Sequence, residues 1–154
     1  MGSIAIGQCS NMSKVSTTSF LNFTPNITNT KYEWIIMSEY QIIEKPWGRE
    51  EVVEINDKYM VKKLTMLAGR RCSLQYHNIK KETIYVLSGV LKIIQGTSQD
   101  ALEDKLYRAG DTITIPPGLI HRMEGVEDAV YLEASTPEMD DVVRLVDDYQ
   151  RAPQ

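Results

Sequence analysis

From Tyr40 onward the chain alternates apolar and polar positions over short runs, and each run stops at Gly, Pro, Asn, Asp or Ser. In MVKKLTM, Met60, Lys62, Leu64 and Met66 share one face while Val61, Lys63 and Thr65 share the other. In TITI, at 112–115, one face is wet and the other dry. Period-2 alternation predicts strands, because successive side chains of an extended chain point to opposite sides. The same reading takes YQIIEK, EEVVEI, RRCSLQY, ETIYVLSG, VLKIIQG, KLYRAGD and AVYLEAS as strands. Turns fall at Pro46-Trp47-Gly48, Asn56-Asp57, Ala68-Gly69 and Ser88-Gly89, and residues 96–104 read as a solvated loop. Many short strands punctuated in this way predict an all-β sandwich or barrel over residues 40–151. The tail DDVVRLVDDYQR stays open: VVRLV suits a strand, and the residues after it suit a helical turn.

Residues 1–37 break the pattern. They are rich in Ser, Thr and Asn, nearly free of charge before Glu33, and hold no sustained period. Such a composition buries too little apolar surface to offset the entropy of ordering it. The expected organisation is therefore a disordered or loosely attached extension over 1–37 and one domain over 38–154. Met37 opens MSEYQIIEKPWGREE, which reads like a natural start of that domain, with the residues before it as an upstream extension.

Composition narrows the function classes. The 154 residues are 42% hydrophobic and 25% charged, which suits one globular domain with a real core. A net charge of −4 with no basic face argues against nucleic acid. No apolar run approaches the roughly 18–20 residues of a membrane span. Cys9 and Cys72 lie in unlike settings, so a disulfide framework is not expected and a cytoplasmic, reducing compartment is the simpler reading.

The candidate chemistry gathers around two histidines, the only two in the chain. Gln75 and His77 are two apart on a strand and so share a face, and Glu82 returns to that face after a short loop. His121, just past Pro116-Pro117-Gly118, would close the set from across a barrel. Two imidazoles, a carboxylate and a neutral amide oxygen suit a divalent first-row metal with a position left for water or substrate. Lys62, on an apolar face, is a candidate for a depressed pKa and proton transfer; a rim lysine with its stem on the core is the plainer reading. Arg71 and Ser73 share parity with Gln75 and His77 and should face the same cavity, where an arginine would suit a phosphate. Glu133 lies opposite Val130, Leu132 and Ala134, on a face that solvent would also explain. Cys72, of the other parity, should be a packed thiol, and Trp47 a packing anchor.

The stretches that hold these residues resemble the two motifs of the cupin superfamily. GRRCSLQYHNIKKETIYVLSG, at 69–89, is similar to G-x5-H-x-H-x3-4-E-x6-G with Gln75 in place of the first histidine. GDTITIPPGLIH, at 110–121, is similar to G-x5-P-x-G-x2-H-x3-N, with Gly125 where the asparagine would stand. Within cupins the chain resembles the C-terminal isomerase domain of type II phosphomannose isomerases: it shares the Gln-x-His variant, KPWGREE at 45–51 and an ending like DDVVRLVDDYQR at 140–151.

That resemblance implies a single cupin-type jelly-roll β-barrel that pairs as a homodimer. It implies one divalent ion on Gln75, His77, Glu82 and His121, with zinc first and manganese, iron, cobalt or nickel as alternatives. It also implies a sugar phosphate as the small-molecule partner and conversion of mannose 6-phosphate to fructose 6-phosphate as the reaction. Lys62, or after it Glu133, would be the base. Gln75 would face the sugar, and Arg71 or Arg144 the phosphate, with Arg151 also matching an arginine of the pattern. Two other readings stand beside it: a non-catalytic metal- and sugar-binding cupin, and a non-heme iron oxygenase. The nucleotidyltransferase domain of the bifunctional type II enzymes has no counterpart in these residues, so guanylyltransferase activity is not expected.

Overall fold

The computed structural model describes residues 41–151. The extension expected over 1–37, and its boundary, lie outside the described residues. Eleven strands follow one another with no helix among the described residues. They are β1 (Gln41–Lys45), β2 (Gly48–Ile55), β3 (Met60–Met66), β4 (Leu74–Tyr76), β5 (Glu82–Ser88) and β6 (Val90–Gly96). After these come β7 (Leu102–Arg108), β8 (Thr112–Ile115), β9 (Ile120–Gly125), β10 (Ala129–Ser135) and β11 (Val143–Val146). They form a six-stranded sheet in the order β1-β2-β3-β10-β5-β8 and a five-stranded sheet in the order β11-β4-β9-β6-β7, with every pair antiparallel. This is the all-β fold expected from the strand pattern, in the jelly-roll form that the resemblance implied.

Alternation along β3 and β10 sets the inner surface. Met60, Lys62, Leu64 and Met66 are buried, and so are Ala129, Tyr131, Glu133 and Ser135. The inner layers meet in a core of Leu64, Met66, Ile84, Val86, Leu91, Ile93, Ile115, Met123 and Tyr131, with Trp47 as the anchor foreseen for it. The tail resolves in favour of the strand, since Val143–Val146 pairs with β4.

Three local expectations change. Residues 96–104 are loop only between Gly96, which ends β6, and Leu102, which opens β7. RRCSLQY is a strand only from Leu74; Cys72, Ser73 and Leu74 are buried one after another, which a regular pleat does not allow. Ser88-Gly89 is not a hairpin turn, because β5 and β6 belong to different sheets. Gly89 is the corner, at φ +75° with Asp128 and Ala129 backbone against its α-carbon, so no side chain fits there.

Gly48, in the Pro46-Trp47-Gly48 turn, is under the same restriction. Its φ is +147°, and a β-carbon would lie 1.9 Å from the Thr65 carbonyl oxygen. Gly48→Ala should therefore destabilise the fold by about 2–4 kcal/mol, read as a lowered urea midpoint with an unchanged slope.

Candidate metal centre

His77 follows β4 directly, His121 sits in β9, and Glu82 opens β5. β4 and β9 are neighbours, with Gln75 opposite His121, so both histidines come from the five-stranded sheet. Glu82 is the group that crosses from the other sheet, where His121 had been expected to. All three side chains are buried, and their ligand atoms lie within 4.8 Å of one another. His121 Nε2 is 3.1 Å from Glu82 Oε1, and His77 Nε2 is 3.6 Å from Oε2. The imidazole centroids are 5.1 Å apart.

Which nitrogen carries the proton follows from the far side of each ring. His77 Nδ1 donates to the Asp141 carbonyl oxygen, and His121 Nδ1 donates to that of Leu119 at 3.0 Å. Each Nε2 then bears a lone pair, and neither has a hydrogen bond in this arrangement. Two imidazole lone pairs and a carboxylate thus converge without a proton to share, in a buried place where unpaired polar atoms are costly. A cation between them satisfies all three, so the donor set fits a divalent metal. Burial would raise the Glu82 carboxyl, and the Lys80 ammonium beside it draws it down.

The surroundings fix the ligands in place. Asp141 accepts backbone N–H bonds from Asn78 (3.0 Å), Ile79 (2.6 Å) and Lys80 (2.8 Å) and a side-chain bond from Asn78 (3.1 Å). It therefore ties down the turn between His77 and Glu82. Lys80, which sequence reasoning passed over, is buried and bonds Glu82 Oε2 at 2.7 Å and Glu133 Oε1 at 2.5 Å. Burial would favour its neutral amine, yet Glu133 and Glu82 hold it as the ammonium. Its signal was weak: Lys80-x-Glu82 matters only because both residues turn inward together.

A cavity of about 190 Å³ opens beside the centre, with Gln75, Lys62, Glu133, Arg144 and Arg151 on its wall. Gln75 faces it as expected, with Oε1 accepting from Ser73 Oγ at 2.7 Å. Lys62 is on the apolar inner face as read, but its ammonium is 3.2 Å from Glu50 and so is engaged rather than free. Glu133 is not on a solvated face; it points inward and is held by Lys80. Arg71 is a correction. It lies outside, paired with Asp148 and Glu124, because the parity argument assumed a continuous strand before Leu74. Arg151 turns its guanidinium onto Asp147. Arg144, opposite Gln75 in the β11–β4 register, keeps Nε and one terminal nitrogen buried without a partner. Cys72 is a packed thiol, pushed up to about 11 by burial.

Two outcomes follow from Asp141. Asp141→Ala should weaken metal binding about 10–100-fold, measured by chelator competition, because His77 and Glu82 lose their common support. Four hydrogen bonds pull the Asp141 carboxyl below its ordinary value of 3.8 even though residual burial opposes this. The stability it contributes is thus complete above about pH 4 and is lost as the pH falls through its lowered folded value. The stability gap between the protein and Asp141→Asn should therefore shrink between about pH 4 and pH 2, read as converging urea midpoints.

The comparisons with known proteins join this geometry to a family and correct one expectation. The family description "Mannose-6-phosphate isomerase C-terminal" matches residues 35–147. Mannose-1-phosphate guanylyltransferase of Escherichia coli K12 is 32% identical over 120 residues, covering 71% of this chain and 23% of that protein. The alginate biosynthesis protein AlgA of Pseudomonas aeruginosa is 30% identical over 121 residues, with the same coverage of each chain. The chain thus spans about a quarter of the length of these relatives. Among solved structures, the oxalate decarboxylase of Bacillus subtilis, described with Mn(II) centres, superposes with a TM-score of 0.60 at 23% identity, over 70% of this chain and 30% of that one. The likeness to that enzyme supports the fold. Interconversion of mannose 6-phosphate and fructose 6-phosphate is overturned as the expected reaction, because the matching relatives are named for guanylyl transfer to mannose 1-phosphate. With most of its length matched, the chain belongs to the mannose-6-phosphate isomerase C-terminal family, as a cupin barrel.

Proposed function

We propose that this chain is the metal-holding cupin domain of a mannose-1-phosphate guanylyltransferase type of enzyme, and that its cavity binds the sugar phosphate of that reaction. The observation that carries the reading is Arg144. A guanidinium with two buried, unpartnered nitrogens beside a metal-binding set calls for an anion, and a phosphate meets both. Lys45, Lys62, Lys80 and Arg151 already have carboxylate partners, which leaves Arg144, among the described residues, as the cavity-lining cation without one. The metal would supply charge stabilisation to a phosphate or hydroxyl oxygen, held by His77, Glu82 and His121, with Gln75 facing the sugar.

Size supports the sugar side of the reaction. About 190 Å³ is below the roughly 300–1,000 Å³ usual for pockets that take drug-sized ligands, so the space suits a monosaccharide phosphate sooner than a nucleotide. Guanylyl transfer needs nucleotide and sugar phosphate side by side, so in this reading the cavity holds the sugar phosphate and is not itself where the transfer takes place. No helix among the described residues is long and apolar enough to cross a membrane.

The test is titration calorimetry of the protein loaded with zinc or manganese against mannose 1-phosphate, mannose and GTP. Mannose 1-phosphate should bind only with metal present, and mannose and GTP at least tenfold more weakly. Arg144→Met should weaken it about 10–100-fold, as loss of a charged hydrogen bond predicts. Equal binding of mannose and its phosphate, or no effect of Arg144→Met, would remove the reading.

A further inference from the structure

Glu82 could serve an ion with one oxygen or with both, and the difference decides how much of the coordination sphere stays open. The ammonium of Lys80 sits 2.7 Å from Oε2, which is also 3.6 Å from His77 Nε2, while Oε1 is nearer an imidazole, 3.1 Å from His121 Nε2. Lys80 is itself immobilised: Glu133 Oε1 takes a second of its protons, and Ser135 Oγ donates to that oxygen at 3.3 Å. Register explains why these groups meet. Ser135 lies opposite Glu82 and Glu133 opposite Lys62, so the acidic pair shares the inner face of the six-stranded sheet. Lys80 reaches across both from the turn that Asp141 pins.

We propose that Lys80 is a positioning residue that holds Glu82 Oε2 away from the ion, so that Glu82 ligates through Oε1 alone and a coordination position stays free for a ligand oxygen. This rests on reading His77, Glu82 and His121 as the metal centre. The geometry favours it over the alternative for a physical reason. If the ion took both oxygens, Oε2 would have to turn from an ammonium that is nearly inaccessible to water and whose other carboxylate partner is Glu133, or serve ion and ammonium at once. Breaking a buried pair in that way leaves a charge uncompensated. A buried lysine that stays put instead turns a two-oxygen ligand into a one-oxygen ligand, at the same time offsetting part of the negative charge that Glu82 and Glu133 bring together. Glu133, expected from the sequence to be a base, becomes in this arrangement the anchor of that lysine.

The experiment compares zinc-loaded crystal structures and cobalt visible spectra, both without substrate, for the protein, Lys80→Met and Lys80→Arg. Lys80→Met also strands Glu133, so the double variant Lys80→Met/Glu133→Gln is made beside it to keep a folded form. In the protein and in Lys80→Arg, one Glu82 oxygen should lie at about 2.0–2.2 Å from zinc. In Lys80→Met or the double variant both should, and the cobalt bands should weaken and shift as the coordination number rises. A purely structural lysine would lower the melting temperature and leave the cobalt spectrum of the folded variants unchanged. That result, or two oxygens on zinc in the protein itself, overturns the proposal. A protein that binds neither zinc nor cobalt removes the metal centre itself. Metal binding without any sugar-phosphate affinity leaves this inference standing and removes only the functional reading.

Discussion

Three buried acceptors that face one another with no proton between them set the terms for the rest of this structure. His77 Nε2, His121 Nε2 and the Glu82 carboxylate cannot satisfy one another while each Nδ1–H is spent on a carbonyl oxygen. Leaving such atoms dry and unpaired costs more than an ordinary hydrogen bond contributes. The arrangement makes sense as one half of a coordination sphere. The parts nearest to it either aim the ligands, as Asp141 and the Leu119 carbonyl do, or balance their charge, as Lys80 does.

The jelly-roll supplies what a single sheet could not. Adjacent strands of the five-stranded sheet bring two imidazoles side by side, and the six-stranded sheet delivers the carboxylate from across the barrel. The C-terminal segment then packs beside the site. Its Asp141 joins the His77–Glu82 turn, its β11 pairs with β4, and its Arg144 lines the cavity. Ion pairs of Asp148 with Arg71 and Arg122 fasten that segment from outside. Ligand orientation and cavity closure are therefore parts of one construction.

Within the cavity, charge is mostly balanced in place. Lys62 and Lys45 meet Glu50, Lys80 meets Glu82 and Glu133, and Arg151 meets Asp147. Burial would raise the Glu50 carboxyl, but Lys62 and Lys45 draw it below the ordinary value. Groups paired so closely are poor candidates for moving protons. They are well suited to holding a fixed field around the His77–Glu82–His121 centre.

Much of this was legible in the chain itself. Period-2 alternation from Tyr40 onward determines strands, and parity on a strand with a short turn brings His77 and Glu82 to one place, whereas His121 reaches them only through the pairing of β4 with β9. The apolar company of Lys62 put its stem on the inner face, but the plainer reading sent its head to water, where the fold gives it Glu50. Parity failed for Arg71, since it holds only where the pleat is continuous and β4 begins at Leu74. It could not choose a side for Glu133, because both faces of β10 carry apolar residues. Lys80 had only the faint mark of its spacing from Glu82, and Asp141 and the unpartnered nitrogens of Arg144 had none. Their roles come from contacts between residues as many as 64 positions apart, and only the closing of two sheets and a C-terminal segment around one cavity decides which distant charges find partners and which are left for a ligand.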